Sequence, residues 1–331
     1  MTQTQKESLS RRFLKWLCKT LGVILALMLT FTLAFRYLAV PAWHSAFGTG
    51  SLQHSLSGFS GIGQNTSLPD SPHPMIGGPD SGVVNILLIG QDRREGEAHS
   101  RSDTLILCSF QEQSKTLIMT SFLRDLYVTI PGHGANRINA AYSLGGMPLL
   151  RQTLSENFGL YLDGCVEVDF AQFSDIINAL GGVQIRLRSD EAALINQETG
   201  SSLTEGDQRL DGAQALAYSR IRSLDSDGDF SRTARQRKVL SSLLDSFRSA
   251  SFPDLISTAT RLLPLITTDM DPARILKCAL EVVPHLSGIE TTSQRIPADG
   301  TYTDRQIDGM WVLDADLEQA RSLLRNTLQK K

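Results

Sequence analysis

Val83-Val84-Asn85-Ile86-Leu87-Leu88-Ile89 is a nearly continuous apolar run, closed by Gly90-Gln91-Asp92. A strand that is solvated on one face alternates polar and apolar side chains, so an almost unbroken run reads as a strand covered on both faces. The chain after it keeps to that pattern. Residues 104–110 and 116–122 are strand-like and are separated by the polar turn Gln111 to Lys115, and 126–130 is a short strand ended by Pro131-Gly132. Residues 138–144 and 148–158 read as helical, 165–169 as extended, and 170–180 as a helix stopped by Gly181-Gly182. Residues 183–187 read as a strand. The last third is mainly helical, over 210–218, 230–249, 254–263, 272–283 and 314–328, with a late strand near 292–296. The pattern predicts an α/β fold: a layered α-β-α domain with a central mixed sheet over 83–331.

Working toward the N-terminus, residues 41–82 are rich in Gly, Ser and Pro, have no sustained period, and read as a flexible extracytoplasmic linker. Before them lies an uncharged run, Thr20 to Phe35, extended by Tyr37 to Val40. It reaches the roughly 20 residues a spanning helix needs if Lys19 or Arg36 snorkels to the interface. Residues 20–40 are therefore read as a single transmembrane anchor, with Trp16, Tyr37 and Trp43 at its borders. Lys6, Arg11, Arg12, Lys15 and Lys19 precede the run, so residues 1–19 form a basic tail expected in the cytoplasm. The competing reading is a cleaved signal peptide, with small residues around Val40-Pro41-Ala42. The long basic leader favours an anchor.

Composition excludes several classes. Hydrophobic residues make up 41% of the 331 residues and charged residues 20%, which excludes a disordered or low-complexity chain. A mean hydropathy of −0.10 excludes a multi-pass membrane protein. The net charge of −3 hides an asymmetry: residues 1–19 carry +4, and the remainder holds 27 basic and 34 acidic residues, a net −7. No nucleic-acid partner is expected of an acidic outer part. Cys18, Cys108, Cys165 and Cys278 are widely spaced and support neither a disulfide framework nor a zinc site.

Against that acidic background, certain charged residues stand out. Asp92 follows the first core strand, and Asp103 opens the next in Arg101-Ser102-Asp103-Thr104. Ligands gather at the carboxyl ends of strands in open α/β sheets. Two acids at neighbouring strand ends can share a hard cation such as Mg²⁺, with phosphate oxygens completing its shell. Read alone, they are more often loop or capping acids. Arg124-Asp125 at the end of the third strand is, by itself, an ordinary ion pair. Asn139 can donate to a ligand oxygen or simply begin a helix. The richest stretch is Tyr218 to Lys238, YSRIRSLDSDGDFSRTARQRK. If its first part is extended, Arg220 and Arg222 share a side. Arg232 and Arg235 share a face of the following helix, for which Asp229 is a reasonable N-cap. Planar, permanently charged guanidinium groups bind phosphate oxygens bidentately, so clustered arginine suits a pyrophosphate. The acidic turn 225–229 resembles a calcium loop, but its glycine is misplaced and Gln236 stands where a bidentate Glu belongs. No Gly-rich phosphate loop precedes Lys-Ser/Thr, so a nucleotide is not the expected donor.

Taken together and in order, these segments resemble the LytR-CpsA-Psr family of bacterial cell-wall glycopolymer ligases, from about residue 83 to residue 247. The family's Gly-x-Asp-x-Arg is matched by Gly90, Asp92 and Arg94, and its Arg-Ser-Asp-Thr by Arg101 to Thr104, with Ser100 where Gly usually precedes. Its Pro-Arg-Asp is matched at Arg124 and Asp125, with Leu123 in place of proline. Asn139 to Tyr142, Gly181 to Val183, Leu210 through Arg222 and Gly228 through Gln236 complete the likeness.

The resemblance implies a membrane-anchored phosphotransferase on the outer face of a bacterial cell membrane. It would join a polyprenyl-pyrophosphate-linked glycan to a peptidoglycan hydroxyl through a phosphodiester. Asp92 and Asp103 would hold Mg²⁺, with Mn²⁺ as an alternative. Asp103, Arg124, Arg220, Arg222 and Arg232 would form the catalytic set, and Arg101, Asn139, Asp229 and Arg235 would assist in substrate binding. The polyprenyl tail would enter an apolar tunnel under the sheet. Two other readings use the same residues: a polyprenyl-pyrophosphate phosphatase, in which water replaces the sugar hydroxyl, and a non-catalytic, membrane-anchored regulator that binds lipid-linked precursors. The presence of both candidate metal acids leans toward catalysis.

Overall fold

The computed structural model describes residues 72–79, 81–91, 102–225, 228–248 and 252–329. The expected tail and anchor, and most of the linker, lie outside the described residues. Among those described, no helix is long and apolar enough to cross a membrane.

The apolar run becomes β1 (Val83–Gln91), and it sits in the middle of a six-stranded mixed sheet. It pairs antiparallel with β2 (Ser102–Gln111) and parallel with β6 (Gly164–Asp169). β2 pairs antiparallel with β3 (Thr116–Phe122), which pairs parallel with the edge strand β10 (Glu290–Ile296). The short β9 (Thr267–Thr268) closes the other edge against β6. Small two-stranded units join β4 (Tyr127–Ile130) to β5 (Gly134–Arg137), β7 (Val183–Leu187) to β8 (Gly206–Leu210), and β11 (Tyr302–Ile307) to β12 (Met310–Ala315).

Eight helices among the described residues complete the layers. α1 (Ile138–Phe158) bends at Gly145 and Gly146, where the backbone leaves helical geometry (Gly146 has φ 63°), just before Pro148. That bend accounts for the two helical segments expected there. α2 (Phe170–Ala179) and α4 (Gly212–Arg220) each begin with an aspartate capping box: Asp169 with Gln172, and Asp211 with Gln214. Each reciprocal pair satisfies two backbone N–H groups that a helix start otherwise leaves open. Between them lies α3 (Ser189–Thr199), and after them come α5 (Asp229–Arg248), α6 (Phe252–Leu262), α7 (Pro272–Val282) and α8 (Leu317–Leu328).

The two sheet faces differ. One face, carrying Leu87, Ile89, Leu105, Leu107 and Phe122, is sealed by α1 and by Ala320, Leu324 and Leu328 of α8. Each large side chain buried there contributes roughly 1.5–3 kcal/mol. On the other face, Val84 and Phe110 pack with Ile289, Leu244 of α5, and Cys278 and Val282 of α7. That face is incompletely filled. Ile86 and Cys108 are register partners, as are Leu88 and Val166, yet all four stay half-buried in the centre of the sheet. α7 has no fully buried residue, and Leu276 and Leu280 are 59% and 65% exposed. A separate apolar cluster joins α2, α3, α4 and β7/β8 through Ile177, Ile195, Leu210 and Tyr218.

Residues 189–199, to which the sequence reading assigns no element, form a helix, and two local expectations are corrected. The stretch expected to be helical from 210 begins with a strand residue paired to Val183, and its helix starts only at Gly212. Residues 302–315 form the β11/β12 hairpin, so the last helix begins at Leu317, capped by Asp316.

Candidate functional site

Asp103 lies in β2 beside the β1 end, and Arg124 lies in the turn just after β3. Because β2 and β3 are adjacent and antiparallel, the two meet, and Arg124 Nη1 donates to Asp103 Oδ1 at 2.8 Å. The Arg124 Nε lies 3.4 Å from Asp125 and 3.7 Å from Asp229, hydrogen-bonded to neither. Asp229 opens α5, and one turn on, Arg232 places Nη2 2.7 Å from Asp229 and donates to the Asp103 carbonyl at 3.1 Å. Arg222 stands 4.0 Å from Asp229. Arg137, at the end of β5, reaches Asp125 at 3.0 Å. Three acids and four arginines thus converge where β2, β3, β5 and α5 begin or end.

Arg232 is only 2% exposed, and its Nε and Nη1 have no hydrogen-bond partner. A buried donor left unmade costs about 1–3 kcal/mol, and more on a charged group. Those two N–H groups therefore call for an anionic acceptor. Burial works against the Arg124 charge, but Asp229, Asp103 and Asp125 offset it and hold its pKa above the usual value. Burial pushes the Asp229 carboxyl up; Arg124 and Arg222 pull it back, and Asp125 and Asp103 add to the rise.

Arg220 and Arg222 arrive by another route than a shared strand face. Arg220 is the last residue of α4, and the helix stops at Ile221 (φ −57°, ψ 126°). Arg220 stacks 4.9 Å over the ring of Phe170, the first residue of α2, while Arg222 turns toward Asp229. α2 and α4, which carry Phe170 and Arg220, pack closely because Gly212 meets the Ser174 carbonyl where a Cβ would sit at 2.2 Å.

Arg235 does not join the cluster. It is buried and paired with Glu191 at 2.9 Å and with Asp225, and it donates to the Ile221 carbonyl at 3.2 Å. Burial opposes its charge, but Asp225 and Glu191 raise its pKa above the usual value. Its donors are committed to α3 and to the loop between α4 and α5, which carries Arg222. Asn139 sits beside Arg124: its backbone N–H donates to the Arg124 carbonyl at 3.3 Å, and its buried Oδ1 has no partner. Tyr142 is internal; its hydroxyl donates to the buried Glu167, which also accepts from Gln91. Asp92 and Arg101 lie outside the described residues. Among the described residues, no group of three or more His, Cys, Asp or Glu is arranged to hold a metal. Asp103 is a carboxylate of the kind a hard cation takes, and Asn139 Oδ1 is a buried amide oxygen without a partner.

Two members of the cluster, Asp125 and Arg137, were missed as site residues by sequence reasoning. Arg137 carried one available signal, since it directly precedes Ile138-Asn139.

Comparison with known proteins places the geometry in context. The model of the LytR_cpsA_psr family matches residues 64–329. The chain is 38% identical to the "Regulatory protein MsrR" of Staphylococcus aureus over 166 residues, 50% of this chain, and the match spans only about half of that relative, 49%. It is 33% identical over 262 residues to the polyisoprenyl-teichoic acid–peptidoglycan teichoic acid transferase TagU of Oceanobacillus iheyensis, covering 75% of this chain and 77% of that one. Among solved structures it resembles the LytR-CPS2A-psr family protein YwtF (TagT) with bound octaprenyl pyrophosphate lipid. That match has a TM-score of 0.58 and 29% identity, and covers 77% of this chain and 95% of that one.

Proposed function

The chain belongs to the LytR_cpsA_psr family, and we propose that it transfers a glycopolymer from a polyprenyl-pyrophosphate carrier to peptidoglycan as an extracytoplasmic phosphotransferase. One observation carries this reading: Arg232 is buried with two donors unpaired, beside Arg124 and Arg222, which approach the same Asp229. A pyrophosphate supplies the acceptor oxygens these guanidinium groups lack. The half-filled sheet face under α5 and α7, lined by Ile86, Leu88, Cys108 and Val166, gives an isoprenoid chain an apolar place to lie.

In the proposed reaction a hydroxyl oxygen of the acceptor attacks the glycan-linked phosphorus. A new P–O bond forms, the bridging P–O bond breaks, polyprenyl monophosphate departs with the electron pair, and the hydroxyl proton passes to the departing phosphate or to water. Such transfers are governed by positioning and charge neutralisation. Arg232 and Arg124 hold the phosphate oxygens, Arg220 and Arg222 close the outer side, and Asp229 orients Arg232 and Arg222. Mg²⁺ held by Asp103, with Asp92 as its second carboxylate, would neutralise charge developing on the phosphates. The basic tail and the apolar run at 20–40 fit a single-pass anchor that keeps this site at the outer membrane surface.

The test is direct. The chain, purified from cells that make polyprenyl carriers, is expected to retain a polyprenyl phosphate detectable by mass spectrometry, and Arg220→Ala is expected to lose it. A chain that carries no lipid and takes up none on addition contradicts the reading.

A further inference from the structure

Arg237 lies five residues beyond Arg232 on α5 and faces a different neighbourhood. Its Nη1 donates to Ser121 Oγ at 2.6 Å, and its buried Nε has no partner. Ser121 of β3 is the register partner of Arg295 of β10, so their side chains leave the same face of the sheet. The Arg295 guanidinium lies 4.2 Å over the Phe230 ring, and its own Nε is also buried without a partner. Its acid partner, Asp299, is 86% exposed. Among the described residues no carboxylate pairs with Arg237. Burial lowers its pKa first, and the Arg295 charge lowers it further.

Two guanidinium groups and a hydroxyl therefore converge with orphaned donors and one solvent-screened acid. Such an arrangement is unfavourable when empty and favourable around an anion. Ser121 lies within β3 and Arg124 in the turn beyond its end, and among the described residues neither Arg237 nor Arg295 pairs with Asp103, Asp125 or Asp229, so the two form a separate group of donors beside the Arg124 cluster.

We propose that Arg237, Arg295 and Ser121 form a second phosphate subsite, distinct from the Arg124–Arg232 cluster, that takes one phosphate group in monoester, diester or free form. Two sources share that chemistry: a phosphodiester within the glycopolymer and inorganic phosphate. The subsite stands on its own geometry, and only the identity of its source rests on the transferase reading.

The experiment is calorimetric titration of the full chain in detergent with inorganic phosphate and, separately, with glycerophosphoglycerol. Wild type, Arg237→Gln, Arg295→Gln and Arg222→Gln are compared. Wild type should show two classes of site. Arg237→Gln and Arg295→Gln should each weaken one class about tenfold or more, as expected when a charge-assisted hydrogen bond is lost. Arg222→Gln should weaken the other class. Tighter binding of the diester assigns the polymer as the source; tighter binding of inorganic phosphate assigns the free ion. Arg237→Lys, which keeps the charge, should recover part of the binding. In phosphate-free buffer Arg237→Gln should melt no lower than wild type, which separates a binding role from a structural one. Unchanged site number and affinity in both Arg237→Gln and Arg295→Gln, or a lower melting temperature of Arg237→Gln without phosphate, overturns the proposal. A wild type that shows the Arg237-dependent class but no Arg222-dependent class counts instead against the transferase reading.

Discussion

Arg124 Nη1 donates to Asp103 Oδ1 at 2.8 Å, joining the end of one central strand to the start of its neighbour. The pair is about one quarter exposed on each side (26% and 29%), so as a fold-stabilising contact it is worth at most about 1 kcal/mol. Its value lies in position, because it holds a guanidinium and a carboxylate together where β2 and β3 meet Asp229.

Asp103→Asn should therefore separate binding from chemistry. The amide keeps a hydrogen bond to Arg124 but removes a negative charge facing the phosphate. Lipid-pyrophosphate retention should hold or rise, while glycan transfer should fall at least about 100-fold, the scale seen when an electrostatic group of this kind is removed. Comparing bound lipid by mass spectrometry with transfer rate checks both halves. Chelation with EDTA should likewise abolish transfer by wild type, and Mg²⁺ should restore it.

Arg232 and Arg235 are three residues apart, and the same kind of change should affect them differently. Arg232→Lys keeps the charge but loses the planar fork, so lipid-pyrophosphate affinity should drop about tenfold or more with little change in melting temperature. Arg235→Met leaves Glu191 buried and unpaired, which should cost about 3–5 kcal/mol of stability. Urea unfolding of both variants, read beside lipid binding, distinguishes them.

Asp229 gives a pH signature. Its carboxyl is raised in the folded chain, first by burial, so the folded state holds the proton more tightly than the unfolded one. Its contribution to stability is fully present below the ordinary carboxylate value of about 3.9 and is lost as the pH climbs through the raised folded value. Asp229→Asn should therefore gain stability relative to wild type between acidic and neutral pH. Thermal melts of both proteins across that range measure the gap, and a gap that does not widen with pH counts against this account.

The central sheet could be read from the sequence because burial on both faces leaves a local trace, the unbroken run of β1. The site arginines were legible as types, since Arg124, Arg222 and Arg232 stand in an acidic background. Their geometry was not. α4 ends at Ile221 with no Gly, Pro or Asn to mark the stop, so Arg220 and Arg222 read as strand neighbours and instead leave a helix end in different directions. α3 was missed because its buried face is only Glu191, Ala192 and Ile195, and Glu191 is there to pair with a residue 44 positions away. The same long-range pairing took Arg235 out of the expected ligand set. β11 was hidden for a similar reason: none of its residues is fully buried, and it exists through its register with β12.

The most direct measurement follows a labelled glycan on a polyprenyl-pyrophosphate carrier, incubated with the full chain, Mg²⁺ and peptidoglycan. The account predicts that label becomes covalently bound to peptidoglycan through a phosphodiester, with an equal amount of polyprenyl monophosphate released, and that Asp103→Ala abolishes both. Release of a free glycan phosphate to water, or binding of the carrier with no turnover, would contradict it.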